Sequence, residues 1–366
     1  MSARRGGAPI RVFVDTPRWF IRPRNTDWRY MNGLARLEEH VPVRMIYGAS
    51  LADAAQESLH YLGRRLAPAR PADSADYARS GAPVAAAARG ADLVLSHRRF
   101  PLGLPQPVVW HYAVLDPQMQ GAAGVSPQEV EAQYAGQEPL YARAARVQVP
   151  TQAEAARHAA RFPHLAARFV PCPFFLPHIT PITDDALRAK HGEDARLAVS
   201  FVGRAARRKG LDLVLEAIAA LPVAERRRID LSVVSPERPA APGGLTLRHI
   251  PSATPREVQA LMAASHVFLM PSRFESFGFT LIEAMAQGCA VIGPDGEVQR
   301  EILAEGAAGC PVGADAGAVS AALLRLMADR PARLRMASAA LARYHACYRP
   351  EVVARRHLDL FARALS

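Results

Sequence analysis

Short apolar runs separated by helix-length segments occur twice along this 366-residue chain, and nothing else in the sequence constrains the fold as much. In the first half the runs are Arg11–Asp15, Val43–Tyr47, Ala91–Ser96 and Pro107–Trp110, with shorter ones at Val147–Pro150 and Arg168–Val170. In the second half they are Leu197–Val202, Asp230–Val234, Thr246–Ile250, Val267–Met270 and Ala290–Ile292. Runs that are apolar without strict alternation read as strands buried on both faces, which means a parallel sheet with helical crossovers. Helices are predicted over Pro255–Ala263, Phe279–Gln287, Ala316–Met327, Pro331–Tyr344 and Glu351–Ala364, and Leu211, Val214, Leu215 and Ile218 fall on one helical face. Four prolines between Pro171 and Pro181 mark a break between the halves. The expected fold is α/β, with two doubly wound Rossmann-like domains in series, over residues 1–178 and 179–350.

Composition narrows the class. The length suits two domains of roughly 100–200 residues each. Half the residues are hydrophobic and 22% are charged, an ordinary globular balance. No apolar stretch approaches the ~20 residues of a bilayer span, and no apolar segment of a secretory leader precedes Arg11. The chain is therefore expected to be cytoplasmic. Cys172, Cys289, Cys310 and Cys347 form no CxxC pair; reduced core thiols are expected, not a zinc site. The net charge is +11, with Lys190 and Lys209 the only lysines among 45 basic residues. Much of that charge reads as an arginine-rich composition; the rest suits polyanionic partners such as nucleotides, anionic lipid or nucleic acid.

Two segments carry chemistry. Ser200–Gly210 is a buried strand ending at Gly203, then a basic loop, then a helix start. Ligands of an open α/β sheet bind at the carboxyl ends of its strands, so Arg204 and Lys209 are placed to clamp a diphosphate, aided by the positive end of the helix. A lysine in so arginine-rich a chain points to a need for a compact charge. The loop is neither a Walker A motif nor GxGxxG, which argues against a nicotinamide enzyme. The second segment is Pro271–Gly288, where a strand runs through a Pro-Ser turn and a glycine-containing loop into a helix. Backbone N–H groups around Phe277–Phe279 would face an anion. Glu275 in the loop and Glu283 one turn into the helix could flank one ligand, as carboxylates suited to vicinal hydroxyls.

These residues carry a resemblance. The Gly-Arg…Lys-Gly loop, the Glu275…Glu283 pair within Pro-Ser-x-x-Glu-Ser-Phe-Gly, the following Glu-Ala-Met-Ala-x-Gly, Gly296-Glu297 and Gly309–Val312 resemble family-4 glycosyltransferases of the GT-B fold, over about residues 196–365. The resemblance implies two domains facing a central cleft, an acceptor-binding first domain completed by a C-terminal helix (about 351–366) that crosses back to it, and a donor-binding second domain. It implies that Glu275 contacts the donor sugar and Glu283 the nucleotide ribose. It places Arg204 and Lys209 on the diphosphate, with Ser276, Phe277, Gly278 and Phe279 beside it, and His249–Ser252 near the base. In the first half, Asp92–His97 and Pro107–His111 are similar to the family's strand-end histidine motifs, which implies His111 in the sugar pocket and a structural His97. The family's Gly-Gly loop after the first strand is missing; Asp15-Thr-Pro-Arg-Trp-Phe stands there.

The function expected is retaining transfer of a hexose from a nucleotide diphosphate sugar to a glycan or lipid-linked acceptor, in cell-surface glycan or glycolipid synthesis. No cofactor is expected. No Asp-x-Asp occurs, and the basic loop can offset a departing diphosphate, so a metal-independent reaction is expected. The alternatives are a nucleotide-sugar epimerase or hydrolase on the same fold and a non-catalytic polyanion-binding protein. Against nucleic acid as the partner, the basic residues are dispersed and no nucleic-acid-binding motif occurs. Residues 1–50 hold nine arginines against four acids. Arg18, Trp19, Arg22 and Arg24 are the candidate acceptor residues, with peripheral attachment at the inner face of the membrane as a further option.

Overall fold

The computed structural model describes residues 8–15, 33–47, 74–97, 99–111, 113–192 and 196–366. The chain divides into two compact units, one of residues 1–114, 125–178 and 349–366, the other of residues 115–124 and 179–348. Residues 115–124, which a single break at the prolines assigns to the first half, thus group with the second.

Among the described residues the strands are β1 (Ile10–Asp15), β2 (Val43–Tyr47), β3 (Ala78–Ser80), β4 (Leu93–Ser96), β5 (Phe100–Leu102), β6 (Val108–Trp110), β7 (Arg146–Val149), β8 (Phe169–Pro171), β9 (Leu197–Val202), β10 (Ile229–Val234), β11 (Thr246–Ile250), β12 (Val267–Leu269), β13 (Ala290–Pro294) and β14 (Cys310–Val312). The first unit holds a sheet in the order β2-β1-β4-β6-β7-β8, parallel throughout, beside a two-stranded ribbon of β3 and β5.

Alternation along β1 shows why a parallel strand reads as continuously apolar. Val12 and Val14 join a core with Val353, Ala354, Leu360 and Phe361 of the C-terminal helix Pro350–Leu365. Phe13 joins the opposite core, with Trp110 and with Tyr134 and Tyr141 of the helix Pro127–Arg143. Both sheet faces are covered, so neither strand face is polar. The C-terminal helix lies with the first unit because its apolar stripe has this sheet face to cover. The helix Pro127–Arg143 starts with a capping box between Ser126 and Glu129, which satisfies N–H groups that the helix cannot pair itself.

The second unit's sheet runs β11-β10-β9-β12-β13-β14, also parallel. Numbered from its own first strand this is 3-2-1-4-5-6, the doubly wound order, with its switch point between β9 and β12. Loops leaving those two strands at their carboxyl ends therefore border the crevice in which such sheets bind ligands. Those loops begin at Gly203 and Met270. Among the described residues no helix is long and apolar enough to cross a membrane.

Candidate active site

At the second unit's switch point, the loop from β9 turns into the helix Leu211–Ala219 through Gly210, whose φ is +80°. A Cβ there would sit 2.3 Å from the Pro271 carbonyl oxygen, so backbone conformation and space both demand glycine. The loop from β12 turns into the helix Phe279–Ala286 at Gly278, with φ +108°. Two left-handed glycines thus deliver two helix N-termini, with their positive ends, to one sheet edge.

The two loops are stitched together. Arg273 N–H donates to the Arg208 carbonyl (2.9 Å), and its guanidinium takes Asp212 through both oxygens (2.8 and 2.9 Å). Arg208 returns a bond to the Phe274 carbonyl (2.8 Å). Within this frame Lys209 Nζ donates to Glu275 Oε2. Their side chains are 13% and 8% exposed, so the pair is mostly sheltered yet still reachable from solvent. Arg204 and Ser276 are exposed; Phe277 and Gly278 are buried, and Phe279 is half-buried.

Glu283 lies on the helix Phe279–Ala286, whose residues Leu281, Ile282, Ala284, Met285 and Ala286 are all buried. Glu283 itself is only 3% exposed. Sequence periodicity allowed it to be a helix former on a wet face; the structure encloses it.

In the first unit His111 follows β6. Its N–H donates to the Ser96 carbonyl (2.9 Å), and its ring Nδ1 meets the Gln148 carbonyl at 3.0 Å. A carbonyl only accepts, so Nδ1 carries the hydrogen and Nε2 holds the lone pair. Burial lowers the ring's pKa to about 4 against the Gln148 bond, leaving a neutral imidazole near pH 7. His97 stands 4.8 Å away between ring centroids, and Phe174 packs edge-on against His111 at the same separation. The switch point between β1 and β4 in this unit is occupied by its own charges. Arg79 donates to Asp15, and Ser96 Oγ donates to the same carboxylate (2.9 Å). Arg18, Trp19, Arg22 and Arg24 lie outside the described residues.

Sequence reading missed two residues of the second unit. Gln299 donates through Nε2 to the carbonyls of Glu275 (3.1 Å) and Phe277 (3.0 Å). Asp116 caps its own helix, Pro117–Ala122, and through Oδ2 accepts the Glu297 N–H (2.8 Å). Asp before Pro at a helix start is a legible signal; nothing in the sequence announces Gln299. Ser235, whose carbonyl accepts from His249 Nε2 (2.8 Å), and His249 lie at the ends of β10 and β11. Beside them Arg238, Pro239, Leu247 and Pro251 line a groove of about 510 Å³. Among the described residues no three His, Cys, Asp or Glu side chains gather as a metal site.

Two Rossmann-like domains of parallel strands define the GT-B fold. The chain superposes on sucrose-phosphate synthase from Thermosynechococcus elongatus with a TM-score of 0.64, at 18% identity, over 97% of this chain and 98% of that one. It superposes on Anabaena HepE, solved in complex with UDP-glucose, with a TM-score of 0.62, at 15% identity, over 96% and 99%. Residues 183–343, most of the second unit, match the model of the glycosyl transferases group 1 family. A D-inositol 3-phosphate glycosyltransferase from Corynebacterium urealyticum is 29% identical over 204 residues, 51% of this chain and 48% of that protein. The chain thus spans about half the length of such curated relatives.

Proposed function

We propose that this chain is a retaining glycosyltransferase that moves a hexose from a nucleotide diphosphate sugar to the hydroxyl of a glycan or lipid-linked acceptor, in cell-surface glycan or glycolipid synthesis, without a metal ion. The observation that supports it best is the Lys209–Glu275 pair, held between two laced loops at the second sheet's switch point. Without donor, each charge satisfies the other. On donor arrival the ammonium turns to the diphosphate and the carboxylate to the sugar hydroxyls, so neither is left buried and bare. Arg204 adds a second positive charge as the diphosphate departs. The N–H groups at Phe277–Phe279 face the phosphate and sugar, and Glu283 accepts from the ribose. His111, as a neutral ring, accepts a hydrogen bond from a sugar hydroxyl at Nε2. The groove at Arg238 and His249 suits a planar base.

Relatives support the donor class: HepE was solved with UDP-glucose, and the curated match is named a glycosyltransferase. The test is a thermal-shift screen of nucleotide sugars followed by product analysis. A donor at 100 times its Kd adds about 2.7 kcal/mol of stability. Proton NMR of the product anomer should show retention. No stabilisation by any nucleotide sugar, or an inverted product, rejects the reading.

A further inference from the structure

We infer that Gln299 is a positioning residue for the Glu275 loop, a role that rests on the glycosyltransferase reading only for its effect on turnover. Gln299 sits on the helix Glu297–Ile302 and is fully buried. Its amide nitrogen carries two hydrogens and spends them on two carbonyls of the same loop, Glu275 O at 3.1 Å and Phe277 O at 3.0 Å. A single side chain thereby brackets Ser276, fixing the backbone on both sides of it. The bracket sets two things at once: where the Glu275 side chain leaves the backbone, and where the Phe277–Phe279 N–H groups point. The amide has one workable orientation, because its oxygen cannot donate to a carbonyl. That oxygen has no hydrogen-bond partner among the described residues, so the donor end is where the side chain does its work.

The bracket is itself supported. Gly296, at the N-cap of this helix, has no side chain to accept the first N–H groups. Asp116 supplies that acceptor from 181 residues away, with Oδ2 on Glu297 N (2.8 Å) and Oδ1 on Gln118 N (2.8 Å). One carboxylate caps two helix starts, a favourable place for negative charge, and holds in register the helix that carries Gln299. The loop that bears Glu275 is therefore oriented from behind by an uncharged residue that need touch no ligand.

Gln299→Glu is nearly isosteric and exchanges both donors for acceptors that oppose the two carbonyls. Gln299→Met removes both without adding charge. Backbone hydrogen exchange over residues 275–279 reads positioning independently of any substrate; it should quicken about tenfold or more in both variants, with the core strand Leu197–Val202 unchanged. Turnover at saturating donor should fall on the order of 10- to 100-fold, as misplacement by about 1 Å does, while the Kd of the free nucleoside diphosphate rises by a clearly smaller factor, because Arg204 and Lys209 still hold the diphosphate. The Gln299→Glu variant should regain part of its rate as pH falls, because a protonated carboxyl recovers one donor; the Gln299→Met variant should not. Unchanged exchange over 275–279 overturns the inference whatever the activity. So does faster exchange in Gln299→Glu with wild-type turnover, or loss of nucleotide affinity equal to the loss of rate. If exchange quickens while the wild type transfers no sugar, the loop's positioning by Gln299 stands and the glycosyltransferase reading falls.

Discussion

The two sheets share a design and differ in what they place at their switch points. In the first unit the ends of β1 and β4 carry Asp15 and Ser96, and Arg79 closes over them; all three are at most 3% exposed. In the second unit the ends of β9 and β12 lead into Lys209 and Glu275, paired but still accessible. One crevice is filled by the protein's own charges, the other holds charges that can be handed to a ligand. The same parallel-sheet edge can be sealed or left available, and the choice rests on a few side chains at the strand ends and in the loops that follow them.

The largest effect should come from opening the sealed edge. Arg79→Met leaves Asp15 buried without its partner and should cost about 3–5 kcal/mol of stability by urea unfolding. The double variant Asp15→Asn with Arg79→Met should recover much of that loss. A small effect in the single variant would erase the distinction between the edges.

At the available edge the loss should appear mainly in rate. Lys209→Met should lower turnover about 10²–10³-fold, the cost of removing one preorganised charge from a departing oxyanion, with a smaller loss of stability than Arg79→Met gives, because the Glu275 carboxylate keeps some contact with solvent. Full turnover would remove Lys209 from the mechanism.

Acid should separate the units. In the first, burial lowers the ring pKa of His111 and His357 to about 4 and of His158 to about 3; in the second, His191 is lowered by burial to about 4. An unfolded histidine titrates near 6.5. These rings therefore support the native state fully above pH 6.5, and the support drains as pH falls from 6.5 through 4, because the unfolded chain binds the protons first. For fully buried His357 the loss is roughly 3 kcal/mol. Urea unfolding at pH 7, 5.5 and 4.5, followed by exchange in each unit, should show the first unit failing earlier. Equal loss would contradict the burial of its histidines.

A smaller change is expected from Glu283→Gln, which should weaken nucleoside diphosphate binding by about 1.5–3 kcal/mol, the worth of a hydrogen bond to a charged group. Calorimetry with the free nucleotide checks it, and unchanged affinity rejects the ribose assignment. The smallest effect, none, is expected from EDTA on the transfer rate; a strict requirement for Mg²⁺ would mean that Arg204 and Lys209 do not suffice at the available edge.

Local pattern determined much of this protein. The strands of both six-stranded sheets, apart from β14 (Cys310–Val312), were legible because parallel strands buried on two faces leave apolar runs, as in Val12-Phe-Val14. The loops at Arg204–Lys209 and Glu275–Gly278 were legible because a strand, a loop rich in charge and glycine, and a helix follow one another in sequence. Partners far apart in the chain were decided by the tertiary structure alone. Arg79 finds Asp15 across 64 residues, Asp116 finds Glu297 across 181, and Gln299 reaches Glu275 across 24. Residues 115–124 join the second unit although they follow β6 of the first. None of these has a period or a motif to announce it. A buried polar group must meet its partner wherever the packed backbone brings one, and that meeting place exists only once the sheets and helices have assembled.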